Sequence, residues 1–185
     1  MDTPADPSDP ALGALLEAIW HRLARAALDR RAGWRHPALA SVDASGAPRV
    51  RTLVLRGADR AAPALLLHTD ARSAKAAEIA RDPRVALLFW DDAARWQLRI
   101  EGEAALAADP ATFAALPPPA RSVYAVDPAP GTPIATPGTL RAADAAASFR
   151  VVRVAPRQME WLDIGGAHRR ARFELASGRA SWLVP

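Results

Sequence analysis

From Arg95 to Leu106 apolar and polar side chains alternate cleanly, and no other run in the chain narrows the possible folds as far. Trp96, Leu98 and Ile100 point one way while Gln97, Arg99 and Glu101 point the other, the mark of a long strand with one apolar face. His36–Val42 reads as a strand, Asp43–Gly46 as a hairpin turn, Ala47–Arg56 as a second strand and Ala64–Thr69 as a third. Val85–Trp90 is a nearly continuous apolar run, which predicts a strand buried on both faces. Phe149–Val154, Arg157–Ile164, Arg169–Leu175 and Ala180–Leu183 add four more short strands. Most connections are too brief for crossovers. The pattern therefore predicts a mainly β chain, an antiparallel barrel with flanking helices rather than a doubly wound sheet.

Two helices stand out. Between Pro10 and Arg31 the residues Leu12, Leu15, Leu16, Ile19, Leu23 and Leu28 recur at helical spacing, and Asp9-Pro10 supplies a cap and a first-turn proline. Ser73–Arg81 reads as a short helix stopped by Asp82-Pro83. Residues 109–147, rich in proline and glycine, read as an irregular, partly helical insertion. One domain over residues 10–185 follows, with residues 1–9 as a disordered acidic, proline-rich arm. That arm is unlike a signal peptide, and no apolar stretch approaches a membrane span, so a cytoplasmic location is expected. The chain has no cysteine, hence no disulfide framework, thiolate metal site or cysteine nucleophile.

The formal charge of +4 raises the question of nucleic acid. Of the 24 basic residues all but Lys75 are arginine, which lifts the isoelectric point without adding charge. One tyrosine and four phenylalanines make a poor stacking platform, so nucleic-acid binding is the least favoured reading. A Gly-rich phosphate loop, a Walker sequence, a His-Glu-x-x-His helix and a nucleophile elbow are all missing. His21, His36, His68 and His168 share no metal-ligand spacing.

What remains is a set of cations. Arg49, Arg51 and Arg56 lie on the second strand, while Arg72 and Lys75 flank Ser73 at a helix start. Cations there oppose the helix dipole unless an anion binds to the same free N–H groups. On charge alone, both side chains reaching into solvent is the better reading. Gln97 and Arg99 mark either a solvated barrel exterior or half of a wet interface. The hairpin around Gly165-Gly166, with Trp161 before it and His168–Phe173 after it, could grip a flat phosphorylated ligand or nucleic acid.

Taken in order, residues 40–56 (ASVDASGAPRVRTLVLR), 68–75 (HTDARSAK), 82–90 (DPRVALLFW), 97–102 (QLRIEG), 165–173 (GGAHRRARF) and the final Trp-Leu-x-Pro resemble the FMN-binding split-barrel proteins of the pyridoxamine 5'-phosphate oxidase family. The likeness covers most of residues 14–185 and implies a split β-barrel homodimer with FMN between subunits. By motif, Arg51 and Arg56, with Thr52 and Leu53 between them, would contact the flavin phosphate or ring edge. His68 and Thr69 would lie near the phosphate and the isoalloxazine. Ser73 and Lys75 would hold the phosphate. Gln97 would reach in from the partner subunit, and Trp161 and Arg172 would close the site. The resemblance implies an FMN-dependent oxidoreductase; a genuine pyridoxamine or pyridoxine 5'-phosphate oxidase and a non-catalytic flavin module are the alternatives. FAD and the deazaflavin F420 serve related split barrels. Two departures concern the substrate. The oxidases carry Arg-x-His in the hairpin, where this chain has Arg169-Arg170-Ala171. Residues 109–147 also lack the Tyr-x-x-x-Arg-x-x-x-Ser pattern that grips the substrate phosphate. The hairpin wording is closer to a bacterial subfamily of oxidase-like flavoproteins.

Overall fold

Asp9 accepts a hydrogen bond from the Ala11 N–H at 2.8 Å, and Pro10 occupies the first turn, so α1 (Pro10–Leu28) begins where the capping pattern places it. The computed structural model describes residues 9–136, 138 and 140–185; apart from Asp9, the expected N-terminal arm lies outside them. Leu12, Ile19 and Leu23 are buried, but Leu28 is 85% exposed. At 100° per residue Leu28 stands about 140° from Leu23, off the stripe it was expected to extend.

The strands are β1 (Ala38–Val42), β2 (Pro48–Thr52), β3 (Leu55–Asp59), β4 (Ala64–Asp70), β5 (Arg84–Asp91), β6 (Trp96–Ala107), β7 (Val126–Asp127), β8 (Arg141–Ala142), β9 (Phe149–Asp163), β10 (Arg169–Glu174) and β11 (Arg179–Leu183). All but the β7–β8 pair join one antiparallel sheet in the order β11-β10-β9-β6-β5-β1-β2, with β3 and β4 added through β9. The fold is mainly β and antiparallel, as expected, and the sheet is not closed. β9 is the spine: it pairs with β6 along its length, with β4 through its first half and with β10 through its second.

Three strand expectations need correction. Ala47–Arg56 is two strands, because the Leu53 N–H donates to the Pro37 carbonyl and the chain then leaves β1 to pair with β4. Phe149–Val154 and Arg157–Ile164 are one strand. Its irregularity is absorbed as a bulge where Pro156 faces Gly102, whose Cβ, if present, would sit 2.2 Å from the Ala155 carbonyl oxygen. β5 buries one face only: Val85, Leu87 and Phe89 are inside, while Leu88 and Trp90 are about 40% exposed. Among the described residues no element covers that face of the strand completely.

α2 (Ala74–Arg81) packs on β1 and β6 at one end of the core, and α1 packs on β3. The insertion carries the short helices α3 (Pro110–Ala115), α4 (Pro118–Ser122) and α5 (Ala145–Ser148). It rests on the sheet through a second apolar cluster of Tyr124, Phe149 and Val151 with Phe113 and Leu116. Among the described residues no helix is long and apolar enough to cross a membrane.

Candidate anion site and the outer sheet face

The chain enters α2 through β4, and the polar groups there follow from that turn. Ser73 takes the N-cap position in extended backbone, yet its hydroxyl donates to the Asp70 carbonyl at 2.7 Å and lies 3.1 Å from the Thr69 hydroxyl. The N–H groups of Ala74 and Lys75 are left without an acceptor among the described residues. Lys75 is half-buried and its ammonium makes no hydrogen bond. Burial, and then the charge of Arg51, push its pKa below the ordinary lysine value, while Asp70 and Glu78 pull the other way.

Arg51 lies beside it, but it is already engaged. Its guanidinium donates to Glu78 Oε2 at 2.7 Å and to the Ser41 hydroxyl, and Ser41 donates to the same carboxylate. Ser41 and Glu78 are both buried. Arg72, expected as a second cation for an anion, instead grips both oxygens of Asp70 and the Val126 carbonyl, tying the start of α2 to the insertion. Arg56 is exposed and forms no hydrogen bond among the described residues. His68 packs edge-on against Phe149 with ring centroids 4.9 Å apart. Its Nδ1 is buried without a partner, and burial together with Arg56 lowers its pKa to about 4. Thr69 is buried at the end of β4. Thr52 stands on the opposite face from Arg51, across from Ala38, and Leu53 packs against the core.

The remaining expected residues lie elsewhere. Gln97 faces outward, opposite Trp90 on β5 and Leu162 on β9. Arg172 is on the same outer face, directly across from Glu160. Glu160 is 5% exposed and accepts from Arg99 at 3.2 Å, Arg170 at 2.7 Å and Arg172 at 3.3 Å. Burial works to raise its pKa; the hydrogen bond from Arg170 and the neighbouring guanidinium charges outweigh that and hold it below the ordinary value. Trp161 is not brought to this group. Neighbours on a strand point to opposite faces, and Trp161 lies fully buried in the core, edge-on to Trp96 at 4.9 Å.

Sequence reasoning missed Ser41, Glu78 and Glu160. Glu160 had a signal, since it shares its alternation phase with Leu162 and lies among arginines, but only the β6–β9 register shows that Arg99 is its neighbour. A groove of about 730 Å³ crosses the outer face between Pro48, Glu101 and Gln158, and none of the expected site residues lines it. Among the described residues no cluster of three or more His, Cys, Asp or Glu could hold a metal.

A family model described as pyridoxamine 5'-phosphate oxidase matches residues 35–162. The chain is 43% identical over 65 residues to a pyridoxine/pyridoxamine 5'-phosphate oxidase of Pseudomonas paraeruginosa, covering 35% of this chain and 29% of that protein. It is 41% identical over 80 residues to its counterpart in Anaeromyxobacter dehalogenans, covering 43% and 39%. The matched stretches thus span well under half of these relatives. A pyridoxamine 5'-phosphate oxidase-related, FMN binding protein from Nostoc punctiforme superposes with a TM-score of 0.74 at 26% identity, all of both chains being covered. PhzG from Burkholderia lata, solved with tetrahydrophenazine-1-carboxylic acid, shares the fold at a TM-score of 0.72 and 21% identity over 100% of this chain and 98% of its own.

Proposed function

The chain belongs to the pyridoxamine 5'-phosphate oxidase family, and from that premise we propose that it is an FMN-binding homodimer of oxidoreductase type. Lys75 carries the reading. In a chain where most cations at the sheet ends are paired, the single lysine is half-buried, unpartnered and beside two free N–H groups at a helix start. A phosphate dianion supplies what those groups lack. The donor set fits: Lys75 and the Ala74 and Lys75 N–H groups offer ammonium and amides to one anion, with Arg51 adding charge beside them, while the Ser73 hydroxyl, which donates to the Asp70 carbonyl, holds the turn that presents them. The FMN-binding Nostoc relative, similar over its whole length, supports that choice of anion.

Arg56, His68, Thr69, Thr52 and Leu53 lie along the neighbouring strand ends and would border the rest of the cofactor. Gln97 and Arg172 would meet it from a second protomer. The exposed Val50, Leu88 and Trp90 share the outer face with them, an apolar area that a second copy would cover. When bound, FMN supplies one- and two-electron transfer, and the protein contributes binding, orientation and electrostatics. The chain's own share is then to fix the phosphate, exclude water through the insertion over His68, and set the charge near the ring. In the hairpin, Arg169 pairs with Asp163, Arg170 with Glu160, and Ala171 is buried. No described side chain there takes the part of the Arg-x-His histidine, which argues against the alternative of a vitamin B6 phosphate as substrate.

The test is the visible absorption spectrum of the purified protein, with the released chromophore identified by mass. Yellow protein releasing FMN supports the reading. Colourless protein that takes up no added FMN sinks it.

A further inference from the structure

Glu160 is the most heavily engaged carboxylate on the outer face. It stands directly across from Arg99 on one side and Arg172 on the other, with Arg170 on the diagonal. Its two oxygens are divided. Oε1 accepts from Arg99 and from both Nε and Nη2 of Arg170, while Oε2 accepts from Arg172 Nη2 alone. Three guanidiniums thus share one carboxylate, and with Glu101 also pairing Arg99 the group keeps one positive charge in excess on a face that carries Gln97, Leu88 and Trp90. Arg172 keeps its Nη1 unclaimed, and its Nε is buried without an acceptor. Held only through Nη2, it presents Nη1 from a fixed anchor. Arg170, by contrast, spends both Nε and Nη2 on the one oxygen Oε1.

We propose that Glu160 is a positioning residue for the cofactor site: its Oε2 fixes Arg172 so that the free edge of that guanidinium meets the flavin held by the partner protomer, while Arg99 and Arg170 are spent in orienting the carboxylate. This rests on the FMN-binding reading given above. Glu160 itself touches no ligand. Its effect passes through Arg172, so the two residues form one unit and their substitutions are not additive.

The experiment is a double-mutant cycle on the full-length dimer with FMN as the probe. It uses Glu160→Gln, Arg172→Gln and the double variant. The Kd comes from quenching of flavin fluorescence, the midpoint potential of the bound flavin from dye equilibration, and fold integrity from circular dichroism. Each single substitution raises the Kd about tenfold, as expected for a lost charge-assisted contact. Arg172→Gln also lowers the flavin potential, because a cation near the ring favours the reduced, more negative form; Glu160→Gln lowers it too, through displacement of Arg172, whereas loss of the carboxylate charge alone would raise it. The double variant matches Arg172→Gln in both readouts. If Glu160→Gln folds poorly, the double variant, which removes both members of the pair, and Glu160→Asp carry the same comparison, with Asp intermediate. Glu160→Gln with wild-type affinity and potential, or additive losses in the double variant, overturns the positioning role while leaving FMN binding in place. A wild-type protein that binds no FMN overturns both.

Discussion

Arg51 and Arg172 lie on opposite faces of one sheet, five strands apart. Arg51 stands across from the buried Leu39, and Arg172 alternates with the buried Ala171 and Phe173. At the usual strand spacing they are about 24 Å apart along the sheet. A single protomer therefore cannot aim both at one ligand, whereas two protomers can. Lys75→Ala and Arg172→Ala should each weaken FMN binding as homodimers. Mixed and allowed to exchange subunits, they should regain full affinity in about a quarter of the sites, because half the dimers are mixed and each of those keeps one intact site. FMN titration of the exchanged mixture checks this; no recovery after mass-verified exchange would rule out a shared site.

Lys75→Ala should weaken FMN binding by about 1.5–3 kcal/mol, roughly 10- to 150-fold. The ammonium must be charged to hold phosphate, and burial and Arg51 lower its pKa. Affinity should therefore fall with rising pH sooner than an ordinary lysine would dictate. Equilibrium titrations from pH 7 to 10, with Lys75→Arg as a pH-insensitive comparison, test both statements.

Arg51 poses a different problem, since Arg51→Ala leaves the Glu78 carboxylate buried without its partner. That substitution should cost up to about 3 kcal/mol of stability besides its effect on FMN, the low end for a buried pair because Arg51 still meets solvent. Arg51→Met with Glu78→Gln should restore most of the stability and none of the FMN affinity. Urea denaturation beside FMN titration separates the two; restored affinity in the double variant would remove Arg51 from the site.

His68 should make the fold acid-sensitive. Its folded pKa of about 4 lies below the unfolded value near 6.5. Between these values the unfolded chain binds more protons, so stability rises with pH. The contribution is complete above about pH 6.5 and is lost as pH falls toward 4. His68→Gln should flatten this part of the profile, read as the urea midpoint at pH 7 and pH 5. Equal slopes in both proteins would show that His68 is hydrated in the folded state.

Much of this architecture was legible because side-chain period carries it. The Trp96–Glu101 alternation gives the phase of β6, the Asp9-Pro10 pair the start of α1, and Ser73 the cap of α2. What period cannot carry is which strand lies beside which. The break at Leu53, the fusion of β9 across Pro156, and the placing of Glu160 among three arginines all depend on register between distant segments. The apolar run of β5 hid the exposure of Leu88 and Trp90, because a continuous apolar stretch does not show which of its faces the rest of the chain covers. Trp161 is the reverse case. The motif marks it for the site, and the structure shows it buried in the core against Trp96.

The most direct test of the central claim is a native mass spectrum of the protein purified and supplied with FMN. The account predicts one dominant species of two 19.7 kDa chains carrying two FMN molecules. A single chain, or a dimer that takes up no FMN, would contradict it.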